Sequence, residues 1–223
     1  MIIETVIKGL NANSLMKDTG ISFIEKVPAH WEIHPVYFYF NEGKNQNKRM
    51  EENNLLSLSY GKIIRKDINT NGGLLPTSFV SYNIVEKDDI IIRPTDLQND
   101  QKSLRTGLVK ERGIITSAYI NLVPKEGANS YYYHYLLHAY DLMKVFYNMG
   151  NGVRQGLNYG EFSKLLLIEP PLKEQELIVE HLDKICSSID SIIEDKKIQL
   201  DLLSEYKKSL FYEYVTGKRE VFV

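Results

Sequence analysis

The sequence predicts an α+β fold: a globular body with a twisted mixed β-sheet and helices, followed by one long C-terminal coiled-coil helix. Three observations lead there. Apolar residues after Glu174 recur with alternating spacings of four and three over more than four heptads. Short β-rich runs punctuated by turn residues fill the stretch from Val36 to Pro124. The chain of 223 residues is 43% hydrophobic and 25% charged, the balance of a folded protein with room for one ordinary domain and an appendage.

The elements follow in order. Ile2, Ile3, Val6 and Ile7 form the last turns of a helix closed by Gly9 and Asn11. Residues 12–35, with Gly20, Pro28 and Pro35, are expected to be irregular, with Ile21, Phe23, Ile24 and Trp31 available for docking. Strands are expected at Leu55–Tyr60, Ile63–Arg65, Asp89–Arg93, Leu108–Lys110, Ile114–Thr116 and Ala118–Val123, with turns at Asn71-Gly72-Gly73 and Arg112-Gly113. Ser130 to Asn148 switches to a helical period that puts Tyr133, Leu136, Leu137, Tyr140, Val145 and Phe146 on one face, ended by Gly150-Asn151-Gly152. After a turn near Tyr159–Ser163, Leu165–Ile168 is a buried strand, and Pro170-Pro171 forces an extended break.

The last helix, roughly Glu174 to Tyr214, carries a seam of Ile178, Leu182, Ile185, Ile189, Ile192, Lys196, Gln199, Leu203, Tyr206 and Leu210. At 1.5 Å per residue it reaches roughly 60 Å, against about 30–40 Å for a body of this size. Much of the seam is therefore expected to seek a partner helix; the alternative is a helix lying on its own domain. Ile3–Gly9 faintly echoes Tyr212–Lys218, as though the N-terminus were the tail of a second such helix.

Composition excludes several classes. No run of 18 or more apolar residues is present, so no membrane partner is expected. Met1-Ile2-Ile3-Glu4 lacks a basic n-region, and the single Cys186 fits a reducing compartment; together these lead to an expected cytoplasmic location. The net charge is −2; residues 173–208 hold six Lys against nine Asp or Glu, leaving +1 for the rest. DNA binding would therefore need local clustering of charge.

Catalytic signatures are missing. Neither G-x-G-x-x-G nor G-x-x-x-x-G-K-[ST] occurs, nor an Asn-Pro-Pro-[Tyr/Phe] tetrapeptide; Glu169-Pro170-Pro171-Leu172 does not replace it. His134 and His138 have the i, i+4 spacing of zinc ligands, but no glutamate base or third ligand is evident, so two tucked histidines are expected. Cys186 beside the seam, and Asp88-Asp89 before Ile90-Ile91-Ile92, are explained by packing and by a turn entering a strand. His30 and His34 flank Trp31 without a recognisable partner. No catalytic residue, metal or cofactor is expected.

Three polar, basic clusters remain. Lys44, Lys48 and Arg49 lie in Lys44-Asn45-Gln46-Asn47-Lys48-Arg49, followed by Tyr60, Lys62, Arg65 and Lys66. Arg93, Asn99, Gln101, Lys102 and Arg105 form the second cluster, and Arg154, Gln155, Asn158 and Tyr159 the third. Arg can pair with guanine and Asn or Gln with adenine, while Lys and Tyr hold phosphates. A solvated loop is the other reading of each.

Several ordered motifs resemble one family. Residues 16–32 (Met16-Lys17-Asp18-Thr19-Gly20 through Pro28-Ala29-His30-Trp31-Glu32), Tyr82-Asn83-Ile84-Val85-Glu86-Lys87-Asp88-Asp89-Ile90, Gly113-Ile114-Ile115-Thr116-Ser117-Ala118-Tyr119 and Gly152-Val153-Arg154-Gln155-Gly156-Leu157 are similar to motifs of the specificity (S) subunits of type I restriction–modification systems. So are Pro170-Pro171-Leu172-Lys173-Glu174-Gln175-Glu176-Leu177-Ile178 and Val215-Thr216-Gly217-Lys218, at the borders of the spacer helix; Glu25-Lys26 departs from a more usual Gly-Glu pair. The resemblance implies a spacer-helix tail at 1–11, a target-recognition domain at 12–172, a coiled-coil spacer helix at 173–216 and a tail at 217–223.

It further implies a non-catalytic subunit that binds double-stranded DNA and docks an adenine-N6 methyltransferase (M) subunit and, through it, the restriction (R) subunit. With one recognition domain the chain is expected to be a half-subunit, natural or a fragment. Two copies, or this chain and another half-subunit, are expected to pair antiparallel through Ile178–Leu210 and read two half-sites. The rival readings are a structural coiled-coil adaptor without nucleic-acid binding and, more remotely, a small enzyme.

Overall fold

A computed structural model describes residues 1–68, 78–97, 102, 104–149 and 156–220. Helix α1 (Ile2–Lys8) buries Thr5, Val6 and Ile7. It stops at Gly9, whose φ of 75° is open to glycine and where a Cβ would lie 3.1 Å from the ring of the fully buried Trp31. The segment expected to be irregular instead forms strands β1 (Met16–Ile21), β2 (Ile24–Pro28) and β3 (Glu32–Pro35). β1 and β2 make an antiparallel hairpin through Ser22-Phe23. Only Ile21 of β1 is buried, so this strand lacks the apolar alternation by which a half-buried strand is recognised.

Short helix α2 (Val36–Tyr39) leads into β4 (Phe40–Glu42), β5 (Leu56–Ser59), β6 (Lys62–Arg65), β7 (Asn83–Val85), β8 (Ile90–Ile92), β9 (Thr106–Leu108), β10 (Gly113–Ile115) and β11 (Ile120–Pro124). β12 (Leu166–Glu169) pairs back with β3, from Leu166 opposite Pro35 to Glu169 opposite Glu32. A four-stranded sheet has the order β4-β11-β8-β9; β1–β2, β5–β6, β7–β10 and β3–β12 are two-stranded. The α+β class holds, but the single mixed sheet is replaced by small antiparallel sheets, joined by a parallel bridge between Leu55 and Ile114. Its strands run three to six residues, too short to extend one sheet across the body. Ile90, Ile91 and Ile92 are all buried, so β8 is covered on both faces.

Helix α3 (Ser130–Leu142) is N-capped by Asn129, whose Oδ1 accepts from Tyr132 N at 3.2 Å. Its six expected core residues, including Val145 and Phe146 just beyond its end, are buried. The Tyr132 hydroxyl donates to Val6 O and Ile168 O, and that of Tyr140 to Leu166 O. Burial pushes both phenols up, keeping them protonated donors. One tyrosine-rich helix thus ties α1 to β12. It ends where Lys144 turns left-handed (φ 62°), before a 3-10 turn at Val145–Asn148.

Helix α4 (Tyr159–Phe162) opens on a capping box of Asn158 and Glu161. Helix α5 runs 44 residues, Leu172–Val215. It begins directly after Pro170-Pro171, and beyond its end Gly217 (φ 70°) lets Lys218 N return to Glu213 O at 2.9 Å. Contacts divide the chain into Met1–Val179 and Glu180–Val223. The first two turns of α5 belong to the body, where Gln175 and Ile178 are buried. Among the described residues no helix is long and apolar enough to cross a membrane.

Candidate nucleic-acid interface and helix seam

The β5–β6 hairpin turns through Tyr60 (φ 46°) and Gly61 (φ 77°), both left-handed, the geometry of a tight two-residue turn whose twist matches its strands. Tyr60 projects at 85% exposure. The hairpin lies against β9 because Gly107 has no side chain: a Cβ there would come within 2.6 Å of Leu58 and 2.9 Å of Ile63. At the tip, Gly61 approaches Leu104, 3.1 Å from where a Cβ would stand, beside the exposed Lys102.

A second junction joins the next cluster. Leu157 N donates to Pro94 O at 3.0 Å, bringing Asn158 next to the half-buried Arg93. Tyr60, Lys62, Arg93, Lys102 and Asn158 are thereby linked through Gly61–Leu104 and Pro94–Leu157. Lys62, Arg93 and Lys102 each have interactions of their own. Asn158 has already committed its Oδ1 to Glu161 N.

Lys44, Lys48, Arg49 and Arg65 belong to a different neighbourhood. Lys44 pairs with Glu42 at 2.8 Å and borders a cleft of about 230 Å³ with Gln46, Asn83 and Tyr119. Asn47 is wholly buried; its amide bonds Glu52 O and N at 2.8 and 3.2 Å, which turns Lys48 and Arg49 outward. Arg65 grips Glu111 through Nε and Nη2, while Arg112 ties Glu52 to Glu86. The Arg65 guanidinium holds the Glu111 carboxyl low; Asn54 N, with help from Arg112, does the same for Glu52.

Arg105 has to be corrected. It is fully buried, and its guanidinium is spent on backbone carbonyls: Thr95 O at 2.6 Å, Asp96 O at 2.8 Å and Arg93 O at 3.4 Å. Its centre lies 5.2 Å from the Tyr147 ring, and Asp141 accepts from its main-chain N. In this conformation it cannot reach a DNA strand; it holds the 93–96 turn that carries Arg93. Nothing in the sequence separates such an arginine from a phosphate-binding one. Asn71–Gly73, Asn99, Gln101, Gly150, Asn151, Gly152, Arg154 and Gln155 lie outside the described residues.

The seam needs a correction as well. Ile178 and Leu182 are buried within the single chain, so neither is available to a partner helix. Ile185 and Leu210 are half-buried, whereas Ile189, Ile192, Leu203 and Tyr206 are 44%, 58%, 62% and 59% exposed. Ile193 and Leu200, each one residue beyond a seam position, are 47% and 66% exposed and widen the apolar face.

The histidines also have surroundings that the sequence hides. Glu174 accepts from His30 Nε2 at 2.6 Å and Trp31 Nε1 at 2.9 Å, and His34 stands between Glu32 and Glu169. Two of these partners are more than 130 residues away, so no local signal reveals them. His134 Nε2 and His138 Nδ1 are buried without a hydrogen-bond partner. Asp89 is buried at the β7–β8 turn, accepting from Glu86 N and Asn121 Nδ2.

Comparison with known proteins completes the description. The chain matches a chain from a structure of the assembly and conformational transition of the type I R-M system, at 14% identity and a TM-score of 0.59, over 89% of this chain and 48% of that one. It also matches the HsdS subunit from Thermoanaerobacter tengcongensis, at 14% identity and a TM-score of 0.50, over 85% of this chain and 42% of that one. The chain thus spans about half the length of these structures. No curated protein matches it. A family model for the type I restriction modification DNA specificity domain matches residues 37–202, most of the body and the first thirty residues of the long helix, and the chain belongs to that family.

Proposed function

We propose that the chain is a sequence-recognition module of a type I restriction–modification system. It binds one half of a bipartite double-stranded DNA site and docks an adenine-N6 methyltransferase subunit in the cytoplasm, without catalysing a reaction itself. The observation that carries this reading is the joining of Tyr60, Lys62, Arg93, Lys102 and Asn158 around the β5–β6 tip, in a chain of the DNA-specificity family. A projecting tyrosine among Lys and Arg offers an aromatic contact and phosphate contacts together. Lys44, Lys48, Arg49 and Arg65, with Arg154 and Gln155, extend the candidate set. With a net charge of −2, affinity is expected to be modest and salt-sensitive until a methyltransferase adds its own surface.

Two chains pair antiparallel through Ile189, Ile192, Leu203 and Tyr206, so that two half-sites are read together. The target-recognition domain is taken as 12–172 and the spacer helix as 173–216. Ile193 and Leu200 give α5 more apolar width than a two-stranded seam requires, which supports a further helix packing there from the methyltransferase. The test is co-expression with an adenine methyltransferase subunit, followed by mapping of methylated adenines. Methylation at one interrupted sequence, weakened by Tyr60→Ala and Lys102→Ala, is the expected result. A purified complex that methylates no sequence preferentially overturns the proposal and leaves a coiled-coil adaptor.

A further inference from the structure

Strands β3 and β12 set Glu32 directly opposite Glu169. Like charges facing each other across an antiparallel pair repel, yet a third ionisable group stands with them. His34, two residues along β3 and so on the same face, brings Nε2 to 3.0 Å from Glu32 Oε2 and 3.7 Å from Glu169 Oε2. One donor atom from each residue lies within 4.8 Å of both others. A tetrahedral ion with bonds of about 2.0–2.2 Å spaces its ligand atoms roughly 3.3–3.6 Å apart, a separation that the two histidine distances bracket.

The groups around these three fix their orientation. Tyr39, 5% exposed, donates its hydroxyl to Glu169 Oε2 at 2.6 Å. A ligating carboxylate is commonly held by such an outer hydrogen bond. The imidazole of His34 is stacked on Phe38, with ring centres 4.3 Å apart and 13° between planes, and meets Tyr39 edge-on at 6.0 Å. Its plane is therefore set by two aromatic neighbours. Glu32 and His34 come from one strand and Glu169 from a segment 130 residues later, so the group exists only in the folded body.

We propose that Glu32, His34 and Glu169 form a binding site for one divalent transition-metal ion. One imidazole and two carboxylates make a donor set suited to Zn²⁺ or a similar borderline ion, with a fourth position open to water. The ion cross-links β3 to β12 at the last residue before Pro170-Pro171, replacing the repulsion between the two glutamates with two bonds. The site is independent of the DNA-recognition reading.

The chelator-treated full chain is titrated with Zn²⁺ by calorimetry and with Co²⁺ by visible absorption. One equivalent is expected, with the absorption of a four-coordinate Co²⁺ site and a raised Tm. His34→Ala and Glu169→Gln are expected to abolish it, and Tyr39→Phe, which removes only the outer hydrogen bond, to weaken it at least about tenfold. The exposed Glu32→Gln provides a ligand variant expected to fold normally, and His30→Ala, at the neighbouring His–Glu pair, should leave binding unchanged. No uptake by the wild type, or uptake that survives Glu32→Gln and His34→Ala, overturns the proposal. So does uptake lost on His30→Ala in a folded chain.

Discussion

The body and the distal part of α5 have comparable access to apolar residues and use them in opposite ways. In Met1–Val179 the isoleucines of β8, Trp31 and the α3 tyrosines are all buried at home. Each such side chain contributes roughly 1.5–3 kcal/mol. In Glu180–Val223, Ile189, Ile192, Leu203 and Tyr206 lie 44–62% exposed on a helix held by its own hydrogen bonds. The body carries its stability within itself. The distal helix leaves its apolar gain uncollected until another helix arrives, and long isolated helices are marginal without such packing. The difference separates residues that matter for folding from residues that matter for assembly.

Five measurements break or sharpen that comparison. Leu182→Asp is expected to cost more than about 4 kcal/mol, because a carboxylate would be forced into a fully buried site; an unchanged denaturation midpoint would move Leu182 to the assembly class. Arg105→Ala should cost about 3 kcal/mol by orphaning the carbonyls of Thr95 and Asp96. It should weaken DNA binding only as far as it unfolds the body; a folded variant with lost affinity would return Arg105 to the interface.

Leu203→Asp should leave unfolding of the monomer almost unchanged while weakening self-association about tenfold or more, a difference light scattering can follow. A wild type that stays monomeric at high concentration would break the comparison outright. Smaller still is a pH effect. His134, with a pKa depressed to about 3 by burial first and then by His138 and Lys110, stays neutral in the folded chain, and His138 is lowered by burial too. The unfolded chain therefore binds more protons below about pH 6.5, so the body's stability is full above that pH and declines as pH falls towards 3. His134→Gln should flatten this decline in acid titrations. Arg65→Ala, which removes a fully exposed ion pair with Glu111, should leave the midpoint unmoved.

Some features could be read from the chain alone, and the reason is local. The α5 seam, the α3 face and the β8 run follow periodicities that neighbours along the chain impose, and Gly9 and Pro170-Pro171 mark the ends of elements by backbone sterics. β1 escaped detection because its side chains are mostly exposed, and the sheet proved segmented because its strands are short. In the candidate site, the residue types could be picked out but not their disposition. Lys102 and Tyr60 share a neighbourhood only because Gly107 lets the hairpin lie on β9, and that packing depends on residues far apart in sequence.

By itself, then, the sequence determined the α+β class, the long helix and its heptad spacing, and the set of basic residues from which a DNA surface can be drawn. Tertiary structure decided which members of those patterns are available. Arg105 and Leu182 match the patterns of DNA-binding and seam residues yet are buried, while Glu32, His34 and Glu169 come together across 130 residues through one strand pairing. The physical reason is that periodicity acts between neighbours three or four residues apart. Burial and charge pairing depend instead on what the folded chain brings within a few ångströms.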